Sequence, residues 1–199
     1  MKNLLTLILI FVSIIFQGCA TTKVFEPIKI QAPQRVGFLE DELIDLAIFD
    51  ARLNSDYSFE LINQISNQII RTYPSANFNI IPINEFYNNP KSDRITMKIS
   101  IVSYDAGFGS KVTVITVGTF GGEFGYGIIP EGKWNGVTGF SLNIYDNRNK
   151  ETKKYSNNIG KIISLPNTYG YKTAKAALDK SYKQTMQDLL MYIDNALMK

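Results

Sequence analysis

The sequence predicts an α+β fold: a mixed, mainly antiparallel sheet with two helices packed on one face and a glycine-rich hairpin inserted between strands. Three observations carry this expectation. Apolar residues recur in steps of three and four at Phe59, Ile62, Ile65 and Ile69, and again from Ala174 to Leu197. Ile95, Met97, Ile99 and Ile101 alternate with Thr96, Lys98 and Ser100, and glycines are interleaved with aromatics through 107–139. The first spacing lines one face of a helix, and the second lines one face of a strand.

The elements follow in chain order. Met1-Lys2-Asn3 precede an apolar run from Leu4 to Phe16, then Gln17-Gly18-Cys19. A basic start, about 13 apolar residues and a small residue before the cut describe a secretory leader, too short to span a bilayer. Residues 20–34 hold two prolines and no helical period, as a tether does. The domain is therefore expected over 35–199, with 1–18 as leader and 19–34 as tether. Residues 35–39 (RVGFL) form an apolar run suited to a buried strand, with Glu40-Asp41-Glu42 at its end or in a loop. Residues 43–54 fit neither period clearly.

Phe59 to Tyr73 fits an amphipathic helix, with Asp56 or Ser58 available as N-cap and Pro74 as its stop. Residues 77–86 suit a short strand that Pro82 drives toward an edge. The alternation from Ile95 makes the clearest strand, with one buried face expected. Residues 111–117 (KVTVITV) are also rich in β-formers. Within 137–145, Phe140, Leu142 and Ile144 share a face opposite Ser141 and Asn143; 146–150 supply turn residues, and 152–163 return as the partner strand of a hairpin. Ala174, Leu178, Tyr182, Met186, Leu189, Ile193 and Leu197 line a long closing helix over 172–198, whose Lys172, Lys175, Lys180 and Lys183 form its wet face.

Composition limits the chemistry. The chain has 199 residues, no histidine and one cysteine, and its net charge of +3 falls to +2 when the leader takes Lys2 away. Near-neutrality gives no electrostatic footprint for nucleic acid. Without histidine, Ser-His-Asp and Cys-His activation are excluded, and the commonest general base and metal ligand are missing. The expectation is a non-enzyme with no metal. The acidic group Glu40, Asp41, Glu42 and Asp45 reads as a solvated loop, because no second acidic pair of matching spacing accompanies it. Gly127 to Lys133 matches the spacing of a phosphate-binding loop, but Trp134 stands where Ser or Thr must hold magnesium, and Pro130 removes an N–H donor. Gly107-Phe108-Gly109 is half of a dinucleotide fingerprint, with Val112 where the third glycine belongs.

The segment Phe16-Gln17-Gly18-Cys19 resembles the lipobox of bacterial lipoproteins, with Gly18 and Cys19 matching its last two positions. That resemblance implies cleavage between Gly18 and Cys19, with a diacylglyceryl group on the Cys19 sulfur and an N-acyl chain on the new amino terminus. No other cofactor is expected. Ala20, in place of the aspartate that retains many such proteins at the inner membrane, implies the periplasmic face of the outer membrane.

The lipobox, the strand over 95–104, the glycine-rich insertion and the strand-turn-strand beginning at Phe140 are together similar to a group of small periplasmic lipoprotein domains. The group includes curli-secretion-channel lipoproteins, penicillin-binding-protein activator lipoproteins, the N-terminal domain of the Tol-system propeller protein, and the YajG-type family. The resemblance implies binding and scaffolding of an envelope partner protein, with anchorage to the membrane through lipid. Phe108, Phe120, Phe124, Tyr126 and Trp134 are the expected contact residues on the hairpin, because exposed aromatics anchor interfaces at little entropic cost. A homo-oligomeric outer-membrane export channel is the alternative, and an auxiliary lipoprotein of an envelope transport system a further one.

Overall fold

A computed structural model describes residues 21–31, 33–53, 55–88, 93–108, 111–115, 124–128, 132–149 and 151–198; for 21, 87–88, 111–115 and 124–128 it describes the backbone alone. Residues 1–18, expected as a leader, and Cys19 lie outside these residues. The architecture is α+β, and the main sheet is mixed and mostly antiparallel.

The sheet runs β3 (Asn77–Ile80), β2 (Leu43–Asp50), β4 (Ile95–Phe108), β7 (Lys133–Asp146), β8 (Lys153–Pro166). β2 is parallel to both β3 and β4, while β4, β7 and β8 form an antiparallel meander. β7 takes one whole edge of β4. The other edge is shared: β2 pairs with Ile95 to Ile101, and β1 (Thr21–Lys23) pairs antiparallel with Ala106 to Phe108. β5 (Lys111–Ile115) and β6 (Phe124–Ile128) pair antiparallel in a separate two-stranded sheet; the residues that join them lie outside the described ones.

Helices α1 (Ser58–Thr72) and α3 (Tyr171–Leu197) bury their apolar faces on one side of the sheet. All seven residues expected to line the closing helix are in the core. A short helix α2 (Ile83–Asn88) covers part of the opposite side, where Phe86 stacks on Tyr145 with centroids 5.2 Å apart. β4 is therefore covered on both faces, and Thr96 and Ser100 are buried along with the isoleucines, where one buried face was expected. A bulge at Val102 shifts its phase, so the inward series Ile95, Met97, Ile99, Ile101 continues as Tyr104 and Ala106.

Five expectations need correction. Residues 36–40 form a turn and no strand: Gly37, Leu39 and Asp41 have positive φ of 77°, 58° and 58°. The Arg35 N–H donates to the Thr72 carbonyl and the Asp41 N–H to that of Ser75, so this segment caps the end of α1. The expected tether over 19–34 is, from Thr21 onward, no free segment, because β1 joins the sheet and Val24, Phe25, Ile28 and Ile30 pack on the core.

The N-cap of α1 is Tyr57 in a left-handed conformation with no side-chain cap; Ser58, an expected cap, is the first helical residue and its hydroxyl bonds the Asp50 carboxylate. Phe59 is 73% exposed; the buried face runs through Leu61, Ile65 and Ile69. Pro82 does end β3 at the sheet edge, but α2 follows it directly.

Candidate interaction surfaces

At the far end of β4 an aromatic cluster closes the sheet. Phe108 on β4 and Trp134 on β7 are register partners with ring centroids 5.1 Å apart, and Trp134 lies 5.7 Å from Tyr171 in the first turn of α3. Asn167 fixes this corner: its Oδ1 accepts the indole N–H of Trp134 and the backbone N–H of Gly170, both at 3.1 Å. The Thr173 hydroxyl accepts the Tyr169 N–H at 3.0 Å, which sets the entry into α3. Trp134 is only 4% exposed, so it is a packing residue and not the exposed anchor expected of it; register pairing with β4 and β8 draws it inside. Phe108 is half-buried against the core. Phe120 lies outside the described residues, and Phe124 and Tyr126 belong to β6, which is described by its backbone.

The aromatics that do face outward here are Tyr169 (75% exposed) and Tyr171 (56%), with the Lys23 ammonium 5.4 Å from the Tyr171 ring centroid. The sequence reading missed them. The signal was present in Tyr169-Gly170-Tyr171 immediately before the helix, a Gly flanked by two aromatics at a helix start.

The second surface is the outer edge of β8, fourteen residues long, which among the described residues has β7 as its one strand neighbour. α3 runs beside it: the Ser181 hydroxyl donates to the Lys161 carbonyl at 2.8 Å and the Tyr192 hydroxyl to that of Ser156 at 3.2 Å. Ile162 on this strand is 38% exposed.

Two Asp-x-Arg units mark the ends of β2 and β7. In each, the arginine backbone N–H and Nε donate to Oδ1 of the aspartate two residues earlier, and Nη2 donates to Oδ2: Arg52 on Asp50, and Arg148 on Asp146. Arg52 also donates to the Tyr104 carbonyl at 3.1 Å. Tyr104 lies in the stretch of β4 between its pairings with β2 and β1, so the guanidinium supplies the donor that no strand provides there. Burial pushes the Asp50 carboxyl up, but bonds from Arg52 and Ser58 outweigh this and hold it below its ordinary value.

Arg148 reaches on to Glu42 at 2.8 Å, and buried Asp45 accepts from Asn79 at 2.9 Å and Arg94 at 3.3 Å. The acidic group at 40–45 is thus not one solvated loop: Glu40 and Asp41 are exposed, while Glu42 and Asp45 are held by arginines. Among the described residues no three potential metal ligands converge. No helix among them is long and apolar enough to cross a membrane.

No protein-family model matches the sequence, and no curated protein matches it. Among solved structures, the chain is similar to the hypothetical protein CT253 from Chlamydia trachomatis, at 10% identity over 79% of this chain and 98% of that one, with a TM-score of 0.46. PelC from Paraburkholderia phytofirmans, solved as a dodecamer, matches at 12% identity over 83% and 98%, with a TM-score of 0.35. Lipoprotein GNA1162 from Neisseria meningitidis matches at 9% over 72% and 96%, with a TM-score of 0.31. All three scores lie below one half, so neither fold nor function is argued from them.

Proposed function

We propose that this chain is a lipid-anchored protein of the bacterial cell envelope, on the periplasmic face of the outer membrane, that works without catalysis by holding an envelope partner protein. Gly18-Cys19 behind an apolar leader supports the location. The observation that carries the binding role is the outer edge of β8, which no other strand pairs among the described residues. An unpaired edge offers a row of backbone donors and acceptors, and an extended segment of a partner can add to it as a further strand. Lipid attachment confines the domain to a shell at the membrane, where even a weak contact is populated through raised effective concentration.

The test is photo-cross-linking in intact cells from position 162. An adduct with an envelope protein is expected, and Ile162→Lys should abolish adducts formed from the neighbouring position 160, because a charge on an edge strand opposes strand addition. Absence of adducts from every position along β8 would remove the edge as the binding surface.

A second reading, a subunit of an oligomeric export channel, draws support from β5 and β6 pairing outside the main sheet. Detergent-extracted protein should then form a large ring that conducts ions in planar bilayers; a monomer without conductance eliminates it.

A further inference from the structure

The first described strand begins two residues after Cys19, and this fixes where the anchor must emerge. Two peptide units span at most about 7 Å, so the Cys19 Cα lies within that distance of Thr21. Thr21 is paired with Phe108, Thr22 with Gly107 and Lys23 with Ala106. The chain then runs back over the core through Val24, Phe25, Ile28 and Ile30 to Arg35. The attachment point is thus pinned to the far end of β4.

That end carries a surface of matching chemistry. Tyr169 and Tyr171 are exposed, Lys23 and Lys172 are exposed beside them, and Lys133 is half-buried at the start of β7. From 152 to 178 the sequence contains five lysines and no carboxylate. Of these, Lys161 and Lys175 pair with Asp188 and Asp179 of α3, which leaves Lys172 as the charge on the first helical turn at this corner. Glu26, exposed, follows on the run that leads away. Tyrosines with apolar bodies and polar tips favour the headgroup level of a bilayer, and lysines nearby favour anionic lipid.

We propose that the corner formed by Lys23, Tyr169, Tyr171 and Lys172 seats directly on an anionic bilayer surface, so that the domain stands flush on the membrane in one orientation. This rests on the lipoprotein reading of Cys19. Thirteen strand steps of about 3.3 Å put the Ile95 end of β4, with Glu42, Asp45, Arg94 and Arg148, roughly 40 Å away from the membrane. β8, antiparallel to β7 along its whole length, then stands upright with its open edge facing sideways into the periplasm.

The experiment uses the full chain expressed with its leader. Thr168→Cys and Asn149→Cys introduce thiols at exposed positions at the two ends, Cys19 itself being blocked by lipid. Each variant is weighed, labelled with an environment-sensitive fluorophore and reconstituted into vesicles of phosphatidylethanolamine and phosphatidylglycerol. Brominated acyl chains should quench the label at 168 and leave that at 149 untouched, and aqueous iodide should do the reverse, with a several-fold contrast in each case. A further variant, Lys23→Glu with Lys172→Glu, should reduce the contrast. Equal quenching at the two positions in protein that carries its lipid overturns the docking while leaving the lipoprotein reading intact. An unmodified mass at Cys19 overturns that reading itself.

Discussion

The Tyr73 hydroxyl donates to Oδ1 of Asp194 at 2.8 Å, joining the end of α1 to the last turns of α3 across 121 residues of chain. Arg35 completes a closed triad, donating to the Tyr73 oxygen at 3.2 Å and pairing with the other carboxylate oxygen at 2.6 Å. Burial pushes the Asp194 carboxyl above its ordinary value, opposed by the bonds from Tyr73 and Arg35. Tyr73→Phe keeps the ring in the core but breaks the link between the helices, and should cost about 1 kcal/mol in urea denaturation. Asp194→Ala should cost more, because it strips Arg35 and Tyr73 of their shared acceptor.

Arg52→Ala should be among the more damaging substitutions on this chain. The side chains of Arg52 and Asp50 are each 6% exposed, so removing the guanidinium leaves a carboxylate buried without its counter-charge and the Tyr104 carbonyl without its donor. The expected loss is about 3–5 kcal/mol by chemical denaturation. Because the folded state holds the Asp50 carboxyl below its ordinary value, its stabilisation is present above that value and fades as pH falls through the folded one. The gap between wild type and Arg52→Ala should accordingly narrow in acid.

Gly136 on β7 is the point of closest approach to α3. A Cβ there would overlap the backbone of Ala177 and Leu178, neither of which can yield without shifting the helix. Gly136→Ala should destabilise by about 3 kcal/mol or more, measured by thermal and urea unfolding. The nearby Gly132, with φ of 77° and open space around its Cα, should tolerate Asn far better.

Asp105 gives the pH dependence the opposite sign. Burial pushes its carboxyl from 3.8 up to about 6, against a smaller pull from Arg52. The folded state therefore holds a proton that the unfolded chain releases, and stability falls as pH rises between those values, with the full cost above about 6. Asp105→Asn should raise stability at pH 7.5 by on the order of 2 kcal/mol, with the difference vanishing near pH 3.5. A difference that is flat with pH would refute the assignment.

Tyr104 and Tyr182 meet edge to face at 5.6 Å in the core, and neither hydroxyl has a hydrogen-bond partner among the described residues. Burial drives both phenols well above their ordinary values, so they stay neutral. Tyr182→Phe removes a desolvated hydroxyl without opening a cavity and should be neutral or stabilising by up to about 1 kcal/mol. Tyr182→Leu should instead be destabilising, since it loses the ring that also packs against Phe140 at 6.4 Å.

The residue pattern by itself determined the closing helix, the strand from Ile95, the hairpin of β7 and β8, and the α+β class, because each is periodic over enough residues for one face to be unambiguous. It also supplied the resemblance of Phe16-Gln17-Gly18-Cys19 to a lipobox, a local pattern that needs no fold to be read. What only the tertiary structure decided depends on partners distant in the chain. Residues 35–39 have the composition of a strand, but the Arg35 N–H goes to the open Thr72 carbonyl at the end of α1 and the Gly37 N–H to the Ser75 hydroxyl just beyond it. Residues 21–30 have the composition of a tether, but the stretch of β4 beyond β2 offers an edge and the core offers room for four apolar side chains. Trp134 looked like an anchor until its place in β7 set it between Phe108 and Tyr171. Spacing along a chain fixes which residues share a face; which groups remain open to receive that face is settled by the other elements.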